Sequence, residues 1–224
     1  MLIEENILKV REQLQENVKL IAVSKTRSVE EINEAYKTGI RDFGENKVQE
    51  LISKFDSIDS DVRWHLLGHL QKNKIKYIVG KVWLIHSLDS IELLKEIEKQ
   101  YGKKNEIANV LIQINIGKEE SKTGIFIEDL PELLEECEKC TNVRVKGLMA
   151  IIPIANEEDC RFYFKEMKKV YDNLSIKSFR NIQMKYLSMG MSGDFNIAIE
   201  EGSNMVRIGE GIFGKRNYNN KQEE

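Results

Sequence analysis

The chain alternates short apolar runs with longer segments of helical period, and it does so eight times over. The apolar runs cover residues 18–24, 42–45, 64–68, 82–87, 108–116, 143–151, 186–189 and 205–209. Between them, 29–36, 47–55, 72–79, 90–101, 129–137, 157–174 and 195–201 repeat apolar residues at the spacing of one helix face. Strand, helix, strand in repetition is the pattern of a parallel sheet, because a parallel neighbour is reached only through a crossover. Eight such units in a chain of this length suit a closed barrel better than an open sheet. The expectation is an α/β chain folded as a single (β/α)8 TIM barrel, with an additional N-terminal helix on which Ile3, Ile7, Val10 and Leu14 share a face. Ser28, Ser90 and Asp194 stand where helix N-caps are needed. Residues 1–216 are assigned to the barrel and 217–224 to a disordered tail, which leaves nothing to build a second domain.

Composition narrows the function classes. With 41% hydrophobic and 32% charged residues and two prolines, the 224 residues describe an ordinary globular chain with one sizeable core. A net charge of -3 gives no general attraction to nucleic acid or to anionic membranes. No window is apolar over the ~18 residues that a membrane helix requires, and the start, Met1-Leu2-Ile3-Glu4-Glu5, lacks the basic region of a secretory signal. These readings predict a cytoplasmic protein, and we expect a monomer. Cys137 and Cys140 spell C-x-x-C but end an acidic helix, so structural thiols are expected rather than a redox or zinc pair. His65 and His69 have the separation of two helical zinc ligands, but no glutamate stands at the required place and no metal is expected. Lys72, Lys74, Lys76 and Lys81 have no interleaved aromatic platform and read as a solvated face.

In such a barrel the residues that follow the strands converge on one face, whatever their distance in sequence. Lys25 closes the first run, Leu20-Ile21-Ala22-Val23-Ser24-Lys25-Thr26. An amine at the mouth of an apolar strand can lose solvent and shed its proton, and a neutral amine attacks a carbonyl to form a Schiff base. A solvated strand end is the plainer alternative. Two glycine-bearing turns, 190–194 and 209–214, follow the seventh and eighth runs, where barrels commonly hold a phosphate on backbone N–H groups. Tight turns alone would also explain those glycines. The spelling G-x-G-x-x-G at 209–214 is not a dinucleotide fingerprint, since too little chain follows for the βαβ unit it would have to open. A phosphate-bearing aldehyde would satisfy the lysine and both turns together, and pyridoxal 5'-phosphate is such a molecule. Other residues at strand ends are Glu45, Asn46, the stretch from His65 to His69, His86, Ser87, Lys118, Ser121, Lys122, Ser188, Met189, Ser192, Arg207 and Glu210.

Five motifs at consistent separations carry a resemblance. They are Ala22-Val23-Ser24-Lys25-Thr26, Phe43-Gly44-Glu45-Asn46-Lys47-Val48-Gln49-Glu50, the stretch from Trp64-His65-Leu66-Leu67-Gly68-His69 to Lys74, Leu187-Ser188-Met189-Gly190-Met191-Ser192-Gly193-Asp194, and Val206-Arg207-Ile208-Gly209. Over residues 1–214 the chain resembles the pyridoxal phosphate homeostasis proteins, called YggS in bacteria and PROSC in animals. The resemblance implies a barrel similar to the N-terminal domain of alanine racemase, without its second β domain and with no established turnover. It implies pyridoxal phosphate covalently bound to Lys25, Asn46 beside the ring and Arg207 toward the pyridine nitrogen. Ser192, Gly193, Gly209 and Glu210 would then hold the phosphate, and Lys122 would stand near the mouth. A hydroxyl residue often occupies the place of Glu210, so its backbone N–H is the group left to serve a phosphate, and Arg27 replaces a lysine of some members. The implied role is vitamin B6 homeostasis, in which the chain stores the cofactor and supplies or buffers it for apoenzymes. A slow racemase or transaminase is the alternative, although a racemase needs a second base, commonly a tyrosine from another domain.

Overall fold

Eight parallel strands pair in sequence order, and the last returns to the first. They are β1 (Lys19–Val23), β2 (Asp42–Glu45), β3 (Arg63–Leu66), β4 (Leu84–Leu88), β5 (Ala108–Ile114), β6 (Val143–Ala150), β7 (Ile182–Ser188) and β8 (Met205–Ile208), closed into a barrel. The closing register sets Ile21 opposite Arg207 and Ala22 opposite Ile208. This computed structural model describes residues 2–119 and 122–215; Ser121 and the expected tail at 217–224 lie outside the described residues.

Helices α1 (Ile3–Arg11), α2 (Val29–Lys37), α3 (Val48–Phe55), α4 (Ile91–Gly102), α5 (Leu130–Lys139), α6 (Glu157–Ser175), α7 (Phe195–Glu200) and α8 (Glu210–Phe213) pack outside the strands. α1 precedes β1 and buries Ile3, Ile7 and Val10, while its Asn6 Nδ2 donates to Ile212 O at 2.8 Å, tying the start of the chain to α8. Within the barrel a small apolar cluster of Ile21, Leu84, Leu111, Met149 and Met205 packs against Trp83 and Tyr186. Strand side chains alternate, so the residues two further along, among them His86, Gln113, Ser188 and Arg207, face the same interior nearer the C-terminal mouth.

Several expectations shift in detail. The segment expected as a helix over 72–79 is a 3-10 stretch, Lys72–Tyr77, followed by a turn, and Ile75, Ile78 and Val79 are its buried apolar residues. β7 begins at Ile182 rather than 186, because its lower half carries exposed Gln183 and Lys185 and has no apolar run to read. The turn after the eighth strand winds directly into α8. Ser28 makes a full capping box with Glu31, and Ser90 accepts from the Leu93 N–H. Asp194 does not cap α7 through its side chain; its Oδ1 accepts from the Met191 N–H and closes the preceding turn. Cys137, Cys140 and Cys160 are free and buried, and burial pushes the Cys140 thiol up to about 11. No helix among the described residues is long and apolar enough to cross a membrane.

Candidate functional site

At the C-terminal mouth the barrel opens into a cavity of about 330 Å3, within the range of small-molecule sites. Lys25, Asn46, Ser192, Gly193, Arg207, Gly209 and Glu210 all line it, so the structure brings together the residues expected to hold a cofactor; Lys122 and the strand-end residues Glu45, His86, Ser87, Lys118 and Ser188 are not among those that line it. A second opening of about 490 Å3 shares Val23, Lys25, Gly209 and Glu210 with the first. The wall also includes Leu67, Gly68 and His69 from the candidate stretch after the third strand and Met191 from the turn at 190–194, together with Val23, Gln113, Thr123 and Ile151, which sequence reasoning did not assign to a site. Gln113 was the legible one among them: it interrupts an apolar strand, and its Nε2 donates to Thr123 O and Oγ1, both at 3.0 Å.

The loop that carries Lys25 is clasped from beneath. Lys54 Nζ donates to Ser24 O at 3.0 Å, to Glu45 Oε1 at 2.8 Å and to Glu50 Oε1 at 2.7 Å. Glu50 in turn accepts from the backbone N–H of Thr26, whose φ of 64° is left-handed. Both neighbours of Lys25 are thus fixed by one buried ion cluster, which places the half-buried amine at the mouth. Burial pushes the Glu45 carboxyl up, against the opposing pull of Lys54 and Ser24.

Close approach positions the next wall. A Cβ on Gly68 would stand 2.3 Å from Asn46 O, so only glycine lets the third strand's loop lie against Asn46. The two phosphate-type turns are tied to each other, with Ser192 Oγ accepting from the Gly211 N–H at 3.1 Å. Glu210 is exposed. Arg27 lines the second opening, where it pairs with Glu31 at 3.2 Å and donates to Gly214 O. Lys122 pairs with Glu119 and donates to Ile152 O at 3.3 Å.

Arg207 is buried in β8, where Nη1 donates to Ser188 Oγ at 2.7 Å and Nη2 to Ala150 O at 2.9 Å. Burial brings it down to about 10, which still leaves a cation at neutral pH. His65 and His69 part company: His65 turns inward to Asp42 and His86, whereas His69 Nδ1 meets Asp89 at 2.9 Å on the surface. Burial holds His65 and His86 below the usual histidine value; Asp42 pulls both the other way, while Lys19 and Arg63 reinforce the shift at His65, and His65 and Arg207 reinforce it at His86.

Stability should therefore depend on pH. The unfolded chain takes up protons near pH 6.5 that the buried imidazoles refuse, so stability is complete above that value and falls as pH drops below it. The expected slope is about 1.4 kcal/mol per pH unit for each histidine that stays neutral. Urea midpoints measured between neutral and mildly acidic pH should fall accordingly, and less steeply in His86→Gln. A midpoint flat over that interval would mean that the imidazoles are not held neutral.

The comparisons with known proteins follow the same outline. Residues 2–217 match the family model described as alanine racemase, N-terminal domain. Over 202 residues the chain is 47% identical to the pyridoxal phosphate homeostasis protein of Aquifex aeolicus, covering 89% of this chain and 88% of the relative. The Haemophilus influenzae protein of the same name is 39% identical over 222 residues, 97% of this chain and 93% of its own. This chain belongs to the pyridoxal phosphate homeostasis protein family. Among solved structures, PipY of Synechococcus elongatus PCC7942 without PLP superposes on this family member with a TM-score of 0.90 at 34% identity, over 95% of this chain and all of PipY. PipY with PLP bound gives 0.87. The alanine racemase of Clostridium difficile 630, at 18% identity and a TM-score of 0.77, shares the barrel fold; this family member spans 57% of it.

Proposed function

We propose that this chain, through residues 1–216, holds pyridoxal 5'-phosphate as a Schiff base on Lys25 and serves in the cytoplasm, as a monomer, to buffer the cofactor or supply it to apoenzymes. The observation that carries the reading is the convergence of the Lys25 amine, the Asn46 amide, the Arg207 guanidinium and two turn backbones on a single cavity. The donor set fits the group: Lys25 for the aldehyde, with loss of water, Asn46 beside the ring, and Ser192 with the backbone of Gly193, Gly209 and Glu210 for the phosphate. Bound pyridoxal phosphate supplies a reactive carbonyl and, in enzymes, an electron sink. Arg207 argues for storage over turnover, because a cation facing the pyridine nitrogen disfavours its protonation and so weakens that sink. The names of the relatives and PipY with PLP bound support the same reading.

Phosphate recognition gives the test. The protein should bind pyridoxal phosphate far more tightly than pyridoxal in a spectroscopic titration. Ser192→Ala should weaken binding by one hydrogen bond to a charged group, about 1.5–3 kcal/mol. Gly209→Val should abolish it: a Cβ there already lies 3.3 Å from Val23 O, so the branches must enter the cavity or displace the strand that leads to Lys25. Equal affinities for pyridoxal and its phosphate would remove the phosphate site.

A further inference from the structure

One polar thread runs through the barrel interior beside the inner apolar cluster. Asp42 Oδ1 lies 2.9 Å from His65 Nε2, and His65 Nδ1 lies 2.9 Å from His86 Nε2. His86 Nδ1 is 3.2 Å from Ser188 Oγ, which is 2.7 Å from Arg207 Nη1. All five side chains are buried, and the thread spans the sheet from the first residue of β2 to the mouth. At its lower end Asp42 also accepts from Lys19 and from Arg63, which fixes the carboxylate in its charged form.

The ends dictate the direction of every bond between them. A guanidinium can only donate and a carboxylate can only accept. With both imidazoles neutral, His65 gives its Nε2–H to Asp42, which leaves Nδ1 as an acceptor. His86 must then give its Nε2–H to His65, and its own Nδ1 accepts the Ser188 hydroxyl proton. Ser188 Oγ accepts from Arg207. This single assignment satisfies each contact, and burial of both histidines supports their neutrality.

We propose that Asp42, His65, His86 and Ser188 are positioning residues, which orient the Arg207 guanidinium through a one-way chain of hydrogen bonds anchored at the far end of the barrel. The Ala150 carbonyl holds the other nitrogen, and Arg207 so fixed is part of the cavity wall. What Arg207 meets there rests on the reading of the cavity as a pyridoxal phosphate site. The thread itself does not.

Two measurements on the protein without added cofactor test the thread. Nitrogen NMR of the histidine rings should find His65 and His86 both neutral and protonated on Nε2, and the Arg207 guanidinium protons should exchange slowly. Then two replacements of one side chain divide the outcomes. Gln in His86→Gln keeps an acceptor toward Ser188 and a donor toward His65, whereas Leu in His86→Leu fills the space and conducts nothing. His86→Gln should retain slow Arg207 exchange, the absorption band and the affinity for pyridoxal phosphate. His86→Leu, shown folded by its circular dichroism and melting, should speed the exchange and lose affinity about tenfold or more. Ser188→Ala breaks the same chain with a smaller change of volume and should behave alike. An Nδ1 proton on either ring, or a folded His86→Leu or Ser188→Ala with unchanged Arg207 exchange, overturns the proposal. Uptake of no cofactor by the unsubstituted protein would instead sink the cavity reading, and the exchange measurement would still judge the thread.

Discussion

Lys25→Ala should abolish covalent capture of pyridoxal phosphate while leaving the barrel folded. The substitution removes the amine and keeps the clasp around it, since Lys54 holds the Ser24 carbonyl and Glu50 the Thr26 N–H through backbone atoms. Other lysines nearby are held by partners of their own. Lys54 is buried, with its Nζ donating to Ser24 O, Glu45 and Glu50, and Lys122 pairs with Glu119 and donates to Ile152 O. Incubation with pyridoxal phosphate, borohydride reduction and peptide mapping should label Lys25 in the unsubstituted protein and nothing comparable in Lys25→Ala. The imine band in the visible or near-ultraviolet should vanish with it. A label that persists at full yield on Lys54 or Lys122 would move the attachment point and take the central claim with it.

The barrel was legible because its signal is repeated. Each strand from β1 to β6 reads as an apolar or near-apolar run, and each is followed by a helical period or a capping serine, so a single misread element does not alter the topology. β7 was half hidden, because a strand near the open floor can carry Gln183 and Lys185 without cost. The mouth residues were legible for a different reason: a closed barrel gathers strand ends, so a list made in sequence order becomes a site once closure is granted. The thread from Asp42 to Arg207 was not assembled from sequence. His65, His86 and Ser188 were visible as strand-end residues, but which of them meet depends on the stagger between strands, and Asp42 stands at the opposite end of its strand from every residue of the site. The clasp of Lys54 beneath Lys25 was hidden likewise, since a lysine on an amphipathic helix reads as solvated until its burial is known.

Amino acids should combine with the bound cofactor without exchange of their α-proton at enzymatic rates. Abstraction needs a base at one face of the ring and a ring that can take up the electrons, and racemisation needs a second base across the ring from the Lys25 amine that an amino acid displaces. Among the described residues, the side chains that line the cavity include no tyrosine, and His69, the histidine in its wall, is exposed and turned to Asp89. Arg207 supplies a cation rather than a carboxylate toward the ring nitrogen's proposed position, which opposes the sink. Incubation of the loaded protein with alanine and other small amino acids in deuterated water, followed by NMR, reads both requirements at once. The carrier reading expects deuterium incorporation far below the roughly 1 per second of an ordinary enzyme. Exchange at that rate, lost in Lys25→Ala, would make the protein a racemase or transaminase. Absent exchange, combined with transfer to an apoenzyme faster than release into a trap for the free aldehyde, would identify direct delivery, because a ligand that must first dissociate cannot reach the acceptor sooner than it reaches the trap.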